Sequence, residues 1–294
     1  MTADSYFEIG NTHEVCQDYA LSGKLNDNLS YAIITDGCSQ SHKECGEVDL
    51  GARVVAYAAR DALFQFYSKE TILVDKRGNG SQFVMMRVAI FAHVLRKIKE
   101  VRDSLQLHEI YSDSTLLVCI SDGKLAYVFA FGDGGVIVKT KNDEIIYDEI
   151  SYLSSAPYYL SYELYKERVT QYLKEFGSSP VIHTNYVIPF DKGFEDVKVT
   201  HRQAKEIDYQ IYDFSSFIYS DFSSISVTSD GIKSFQALES DNKEIGAIEM
   251  APRFCDFKGK SNTFLKRRML MIKKENAVKK ITHYDDISAA SIVL

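Results

Sequence analysis

Residues 29–37 read Leu-Ser-Tyr-Ala-Ile-Ile-Thr-Asp-Gly, an apolar run of β character that ends in a carboxylate and a glycine. Further acids open or close strand-like runs elsewhere in the chain, at Asp18, Asp230 and Asp285. A rigid sheet holds a carboxylate at a strand end, and several that converge repel one another unless a cation lies between them. Oxygen ligands of this kind suit Mg²⁺ or Mn²⁺ better than zinc. The pattern therefore predicts a hard-metal site built from strand ends.

The composition is that of an ordinary globular protein, with 294 residues of which 45% are apolar and 26% are charged. A formal net charge of -7 argues against general binding to nucleic acid or to an anionic membrane. The chain has no apolar run of the roughly 18 residues that a membrane helix needs, and its first residues lack the basic and apolar parts of an export signal. Its five cysteines are scattered and odd in number. We therefore expect a cytoplasmic protein with free thiols.

Hydrophobic periodicity divides the rest of the chain into helices and strands. Apolar residues recur at helical spacing over 47–67 and 82–105, with a turn expected over 75–80. Strand-like runs over 114–120 and 124–131 flank Asp122-Gly123, a dipeptide typical of a β-hairpin turn. Because helices and strands do not alternate, the order favours a layered protein with largely antiparallel sheets and helices outside. Nearer the C-terminus, helices are expected over 232–238, 244–250 and 261–275, the last with Ser261 as its N-cap.

The segment from about 147 to 219 is rich in tyrosine and holds more than half of the nineteen tyrosines. We predict an irregular, partly exposed insert in which the rings pack while their hydroxyls stay in water. The alternative is a surface that contacts a partner or a substrate, because tyrosine is enriched at interfaces.

Several motifs resemble, in order, those of the PP2C family of metal-dependent serine/threonine phosphatases. They are Gln17-Asp18 before a strand, Asp36-Gly37 after one, Gly51-Ala52-Arg53 in a helix, Ser114-Thr115 opening a strand, Gly132-Asp133-Gly134 in a turn, Ser229-Asp230-Gly231 and Asp285-Asp286. A single Asp-Gly is a common turn, but the ordered series with fitting secondary structure between its members is specific. The resemblance spans most of the chain.

The resemblance implies one α+β domain over 1–294, a four-layer α-β-β-α sandwich of largely antiparallel sheets flanked by helices. It implies two divalent cations, Mn²⁺ or Mg²⁺, at one edge of the sandwich. Asp36 would be the catalytic residue that bridges both cations, and the Gly37 carbonyl would bind one of them. Asp230 and Asp285 would hold one cation, and Asp18 would hold the other or its water shell. A water held between the cations would then attack the phosphorus of phosphoserine or phosphothreonine in a phosphorylated protein substrate.

Four positions depart from the family pattern. Gln17 replaces an acid and removes one negative charge, and His13 stands where an arginine often grips the phosphate, which makes His13 the candidate substrate-binding residue. Cys38 stands where some members have a histidine proposed as a general acid. Asp113 stands where a glycine is expected, near a third metal position that therefore stays unassigned. We interpret Asp133 as a turn residue.

Three alternatives stay open at this point. The chain could be a catalytically weak or inactive pseudophosphatase that acts as a binding or regulatory module, or it could hydrolyse small phosphoesters. The four acids at Asp18, Asp36, Asp230 and Asp285 favour an enzyme, because a binding module has little reason to keep mutually repulsive carboxylates. A zinc site at Cys38, His42 and Cys45 is the third alternative, and their spacing matches no strong zinc pattern.

Overall fold

The structure, a computed structural model, describes residues 1–38, 50–67, 76–177, 181–189, 197–203, 215–238 and 243–294. In chain order its strands are β1 (Thr2–Glu8), β2 (Tyr19–Lys24), β3 (Ser30–Thr35), β4 (Leu116–Ser121), β5 (Leu125–Phe131), β6 (Gly134–Thr140), β7 (Ile145–Tyr152), β8 (Val181–Ile188), β9 (Lys198–Gln203), β10 (Ser215–Ser220), β11 (Phe222–Thr228), β12 (Phe235–Ala237), β13 (Lys243–Ile245), β14 (Ile281–His283) and β15 (Ile287–Val293). Its α-helices are α1 (Leu50–Phe66), α2 (Lys76–Leu105), α3 (Lys166–Phe176), α4 (Ala247–Phe254) and α5 (Phe264–Val278).

Two antiparallel sheets form the centre of the molecule. One has seven strands in the order β1-β15-β11-β6-β7-β8-β9, and the other has five in the order β10-β5-β4-β3-β2. A small third sheet, β13-β12-β14, lies near the C-terminal helices. All of these strand pairings are antiparallel, as the order of elements along the sequence predicts.

The strands bury both of their faces, which creates three layers of core. Along β3, Ile33 packs on the helix side with α1 and α2, and Ile34 packs between the sheets, because successive side chains of a strand point to opposite faces. The outer face of the seven-stranded sheet packs against α4 and α5. The result is the predicted α-β-β-α sandwich.

The helices and the hairpin of the first half agree with the sequence predictions. Both α1 and α2 are present, although the start expected at 47 lies outside the described residues. The turn expected over 75–80 is wrong from Lys76 onward, where α2 has already begun. The hairpin joins β4 to β5 as predicted, and Gly123 adopts φ 83°, a conformation that favours glycine at this turn.

Predictions for the C-terminal region were partly wrong. The helix expected over 232–238 is a 3₁₀ turn, Asp230–Lys233, followed by β12, and the helix expected over 244–250 begins only at Ala247, after β13. β12 lies between β13 and β14, so pairing with a distant segment overrides the local pattern. The last helix, α5, begins at Phe264 with Thr263, not Ser261, at its N-cap position.

The tyrosine-rich segment is more regular than its composition indicates. Its described part contains most of β7, a 3₁₀ turn (Leu160–Leu164), α3, β8, β9 and β10, so the prediction of irregular structure was wrong there. Tyr147 is fully buried in β7, and Tyr172 is buried in α3. Tyrosine suits a pleated, half-buried surface as well as a loop, which is why composition alone misled. No helix among the described residues is long and apolar enough to cross a membrane.

Candidate active site

Strand pairing brings Asp18 and Asp36 together at one end of the five-stranded sheet. Tyr19 of β2 pairs with Thr35 of β3, so the residue before β2 and the residue after β3 are neighbours. Thr115 fixes the backbone of Asp36 from the other side. Its Oγ1 accepts the Asp36 N–H at 3.1 Å, and its own N–H donates to the Asp36 carbonyl at 2.8 Å.

The seven-stranded sheet contributes further acids at its matching end. Asp230 follows β11, and Asp285 and Asp286 precede β15, which pairs with β11 in antiparallel register. Ser229 and Ser288 lock this end of the pairing. The Ser229 N–H donates to the Ser288 carbonyl, and the Ser288 N–H donates to Ser229 Oγ, both at 3.0 Å.

Asp133 was missed as a site residue by sequence reasoning. It does lie in a turn, as predicted, but this turn joins β5 of one sheet to β6 of the other. Its carboxylate faces the same cavity as Asp36 and Asp230. The Gly132-Asp133-Gly134 turn is visible in the sequence, but its place at the common edge of the two sheets follows only from their packing.

One cavity of about 300 Å³ collects these side chains. Its acidic half is lined by His13, Asp36, Gly37, Asp133, Asp230, Asp285 and Asp286. Asp18 is 1% exposed and does not line the cavity, yet its charge acts directly on Asp36. Every predicted metal-site residue except Asp18 therefore lines this cavity, together with His13.

Burial and mutual repulsion raise the pKa values of Asp18, Asp36 and Asp133. Burial raises the pKa of Asp36 well above its ordinary range, and the charges of Asp18 and Asp230 add to the effect. Burial also raises the pKa of Asp18 to about 7. The pKa of Asp133 rises to about 7, through burial and then through repulsion by Asp230.

The acids fit a divalent cation in their chemistry and charge. Neither carboxylate oxygen of Asp18 accepts a hydrogen bond of ordinary geometry, and both are buried. A buried carboxylate without such partners is costly, and a nearby cation would remove that cost. Yet no three His, Cys, Asp or Glu side chains within the described ranges form a ready ligand shell.

Gly37 and Asp286 hold the backbone around the acidic half in place, a role that the sequence does not predict. A Cβ on Gly37 would lie 2.9 Å from the carbonyl oxygen of Gln17, so this close crossing requires glycine. The buried Asp286 carboxylate accepts the N–H of Gly10 at 2.7 Å and the N–H of Gln17 at 2.6 Å. Asp286 is thus an anchor that ties the N-terminal segment to β15.

His13 lies against the acid pair. Its Nδ1 is 3.1 Å from Asp286 Oδ1, and its Nε2 is 3.7 Å from Asp285 Oδ1. The imidazole lines the same cavity as these acids.

A family model described as protein phosphatase 2C matches residues 10–257. The chain belongs to the protein phosphatase 2C family. Solved structures agree on the fold. A bacterial serine phosphatase superposes with a TM-score of 0.54 at 11% identity, over 100% of this chain and 97% of that one. PppA, described as a key regulatory component of T6SS in Pseudomonas aeruginosa, superposes with a TM-score of 0.51 at 15% identity, over 99% of this chain and 96% of that one. No protein of curated function matches the sequence.

Two departures from the protein phosphatase 2C pattern have visible consequences. The Asp113 carboxylate is buried and accepts hydrogen bonds from Arg168 and from Ser161, so it serves as a structural anchor. Gln17 is 5% exposed and lies beside Asp18, where a missing charge lowers the repulsion within the cluster. His42 and Cys45 lie outside the described residues, so the zinc alternative is untested.

The cysteines of this protein phosphatase 2C member differ in their surroundings. Cys38 lines the cavity. Burial raises the pKa of Cys16 to about 12, and the charges of Asp286 and Asp18 add to the effect. Cys16 therefore remains a protonated and unreactive thiol near neutral pH.

Proposed function

We propose that the chain, acting as a single domain over 1–294, is a metal-dependent phosphatase that hydrolyses phosphoserine or phosphothreonine in proteins. One observation carries the proposal: acids from both sheets line one cavity, and no Lys or Arg is among the described residues that line it. A phosphate group carries negative charge and cannot enter such a cavity unless cations neutralise the carboxylates. Membership of the protein phosphatase 2C family supplies the reaction class.

Asp36 and Gly37 would hold the cations at the centre of the site, with Asp230 and Asp285 beside them and Asp18 behind. When bound, two Mn²⁺ or Mg²⁺ ions supply an activated water nucleophile and neutralise charge on the phosphoryl oxygens. Because its pKa is raised, the Asp36 carboxylate binds a proton more readily than usual, and a cation would compete with that proton. Thr115 keeps the Asp36 backbone in place while that charge changes, through its two hydrogen bonds.

His13 would orient the phosphate. Its Nδ1 lies 3.1 Å from Asp286 Oδ1 and its Nε2 lies 3.7 Å from Asp285 Oδ1, so a proton on Nε2 would be available to a phosphoryl oxygen bound at the acids. A histidine makes this contact without the fixed two-point fork of an arginine, so we expect weaker phosphate binding than in members that have arginine there.

The test compares wild type with Asp36→Asn and with Asp221→Asn on a phosphothreonine peptide in Mn²⁺. Asp221 is the matched control because its side chain is 88% exposed and it lies outside the cavity. We expect wild-type hydrolysis that chelator abolishes, a loss of at least about 100-fold in Asp36→Asn, and no change in Asp221→Asn.

Folded wild-type protein that releases no phosphate at saturating Mn²⁺ would overturn this proposal. The inactive binding module would then be the better interpretation. Equal hydrolysis by wild type and Asp36→Asn would show that another site performs the reaction.

A further inference from the structure

The cavity that holds the acids has a second half built mainly from rings. It is lined by Pro157, Tyr159, Tyr162, Tyr172 and Phe176. All five belong to residues 153–177, which connect β7 to β8 and contain α3. We call these five residues the aromatic wall. The acidic half and the aromatic wall therefore face one continuous space.

The rings of the aromatic wall support one another. Tyr162 lies in edge or tilted contact with Tyr159 and Tyr172, with centroid distances of 5.5 and 5.7 Å. Tyr172 continues the series to Phe176 at 5.0 Å. Contacts of this geometry hold aromatic side chains in place, so the wall is formed before any ligand arrives.

The aromatic wall presents mainly apolar side-chain surface to the cavity. The Tyr172 hydroxyl donates to the Ala156 carbonyl at 2.6 Å, which directs it into the protein. Phe176 and Pro157 have no side-chain polar group at all. A ligand that meets this surface gains from apolar contact and not from charge.

Hydrogen bonds to Asp113 connect the segment that carries the aromatic wall to the chain that follows Asp36. Its carboxylate accepts hydrogen bonds from Ser161 and Arg168, and the Arg168 guanidinium lies 4.3 Å from the centroid of the Tyr162 ring. Its backbone carbonyl accepts the N–H of Cys38 at 2.9 Å, two residues after Asp36. Asp113 therefore bonds both to the segment that carries the wall and to the chain that follows Asp36.

We propose that the aromatic wall is a subsite for a large apolar side chain next to the phosphorylated residue of the substrate. This inference rests on the proposed phosphatase function and names the substrate that the same site prefers. At about 300 Å³ the cavity has room beyond a phosphoryl group at the acids, and aromatic side chains are a common lining of ligand sites. A phosphopeptide with phenylalanine beside its phosphothreonine is the occupant that matches both halves.

The experiment uses two phosphothreonine peptides that differ only in having phenylalanine or alanine on both sides of the phosphorylated residue. We expect wild type in Mn²⁺ to hydrolyse the phenylalanine peptide with a kcat/KM at least about tenfold higher, mainly through a lower KM. Phe176→Ala should bring the two values within about twofold of each other, and Phe176→Leu should keep an intermediate preference. Phe64→Ala is the matched control, because Phe64 is exposed on α1 and does not line the cavity.

Equal hydrolysis of both peptides by wild type would overturn the subsite and leave the phosphatase function standing. Hydrolysis of neither peptide would overturn the phosphatase function and the subsite with it. A preference that survives in folded Phe176→Ala and Tyr162→Ala would show that the selectivity comes from elsewhere. The conservative Phe176→Leu keeps the test decisive if the alanine variant fails to fold.

Discussion

Asp113 and Arg168 form a two-point ion pair across 55 residues of sequence, with Nη1 to Oδ1 at 2.9 Å and Nη2 to Oδ2 at 2.5 Å. Both side chains are largely buried, at 7% and 15% exposure. The Ser161 hydroxyl donates to the same carboxylate at 2.7 Å. This pair joins α3 and the 3₁₀ turn before it to the strand end that carries Asp36.

Removing the arginine of this pair should destabilise the protein strongly. Arg168→Met leaves the buried Asp113 carboxylate without its charged partner, which typically costs about 3–5 kcal/mol. The double variant Asp113→Asn, Arg168→Met should lose less than the sum of the single variants, because neither charge remains. Urea unfolding monitored by circular dichroism measures both values.

The control for this pair is Lys99–Asp103 on α2, whose side chains are 60% and 46% exposed. Lys99→Met should cost less than about 1 kcal/mol, because solvent screens an exposed pair. If Arg168→Met and Lys99→Met lose similar stability, the Asp113–Arg168 pair does not anchor α3.

The acid cluster should make the metal-free protein less stable as pH rises. The pKa of Asp133 is raised from 3.8 to about 7 in the folded state. The folded state therefore binds the proton more tightly than the unfolded chain, and the stability from that binding is present below about pH 4 and is lost as pH rises to about 7. Each pKa unit corresponds to about 1.4 kcal/mol.

Asp133→Asn isolates this effect, because asparagine stays neutral throughout. In the presence of chelator, we compare the free energy of unfolding of Asp133→Asn with that of wild type. We expect this difference to shift in favour of the variant by a few kcal/mol between pH 4.5 and pH 7.5. Urea unfolding at a series of pH values measures the difference, with Asp221→Asn as the control that should stay flat. A constant difference between Asp133→Asn and wild type would mean that Asp133 does not titrate with a raised pKa.

Gly231 is required where the chain turns beneath the acid pair. A Cβ at this position would lie 1.8 Å from the backbone oxygen of Asp286, which cannot yield without moving β15. We expect Gly231→Ala to destabilise the protein by more than about 2 kcal/mol. Gly246→Ala should change stability by less than about 1 kcal/mol, since a Cβ there meets nothing within 4 Å. Thermal unfolding of both variants tests the contrast, and equal losses would contradict it.

Local patterns predicted well those parts of the fold that local forces decide. The Asp122-Gly123 hairpin and the helices α1 and α2 form as their sequences indicate. β12 was missed, because its three residues become a strand only by lying between β13 and β14. The periodicity of a short segment cannot show that it pairs with a strand far away in the sequence.

Two acids of the site were predictable because their motifs coincide with local structure. Asp36 and Asp230 end long buried strands, so their motif and their structure coincide. Asp133 and Asp113 have short local signals, and their roles come from the packing of one sheet on the other and of α3 on the strand ends. No feature of the sequence near either residue shows those contacts.

Gln17→Glu tests whether the missing acid limits cation binding. Gln17 is nearly buried beside Asp18, its N–H donates to Asp286, and its carbonyl accepts the N–H of Gly37 at 3.2 Å. A carboxylate at this position adds a negative charge to a cluster that already raises the pKa of Asp36. The variant should be less stable than wild type in chelator at pH 8, because the added charge repels its neighbours.

With Mn²⁺ present, Gln17→Glu should instead be more stable than wild type. The added charge attracts Mn²⁺, and we expect about tenfold tighter binding, which corresponds to about 1.4 kcal/mol. Isothermal titration with Mn²⁺ and thermal unfolding with and without Mn²⁺ measure the two effects. Gln171→Glu, which adds the same charge at an exposed position on α3, should move neither value. If Gln17→Glu binds Mn²⁺ no more tightly than wild type does, the charge at residue 17 does not contribute to the cation site.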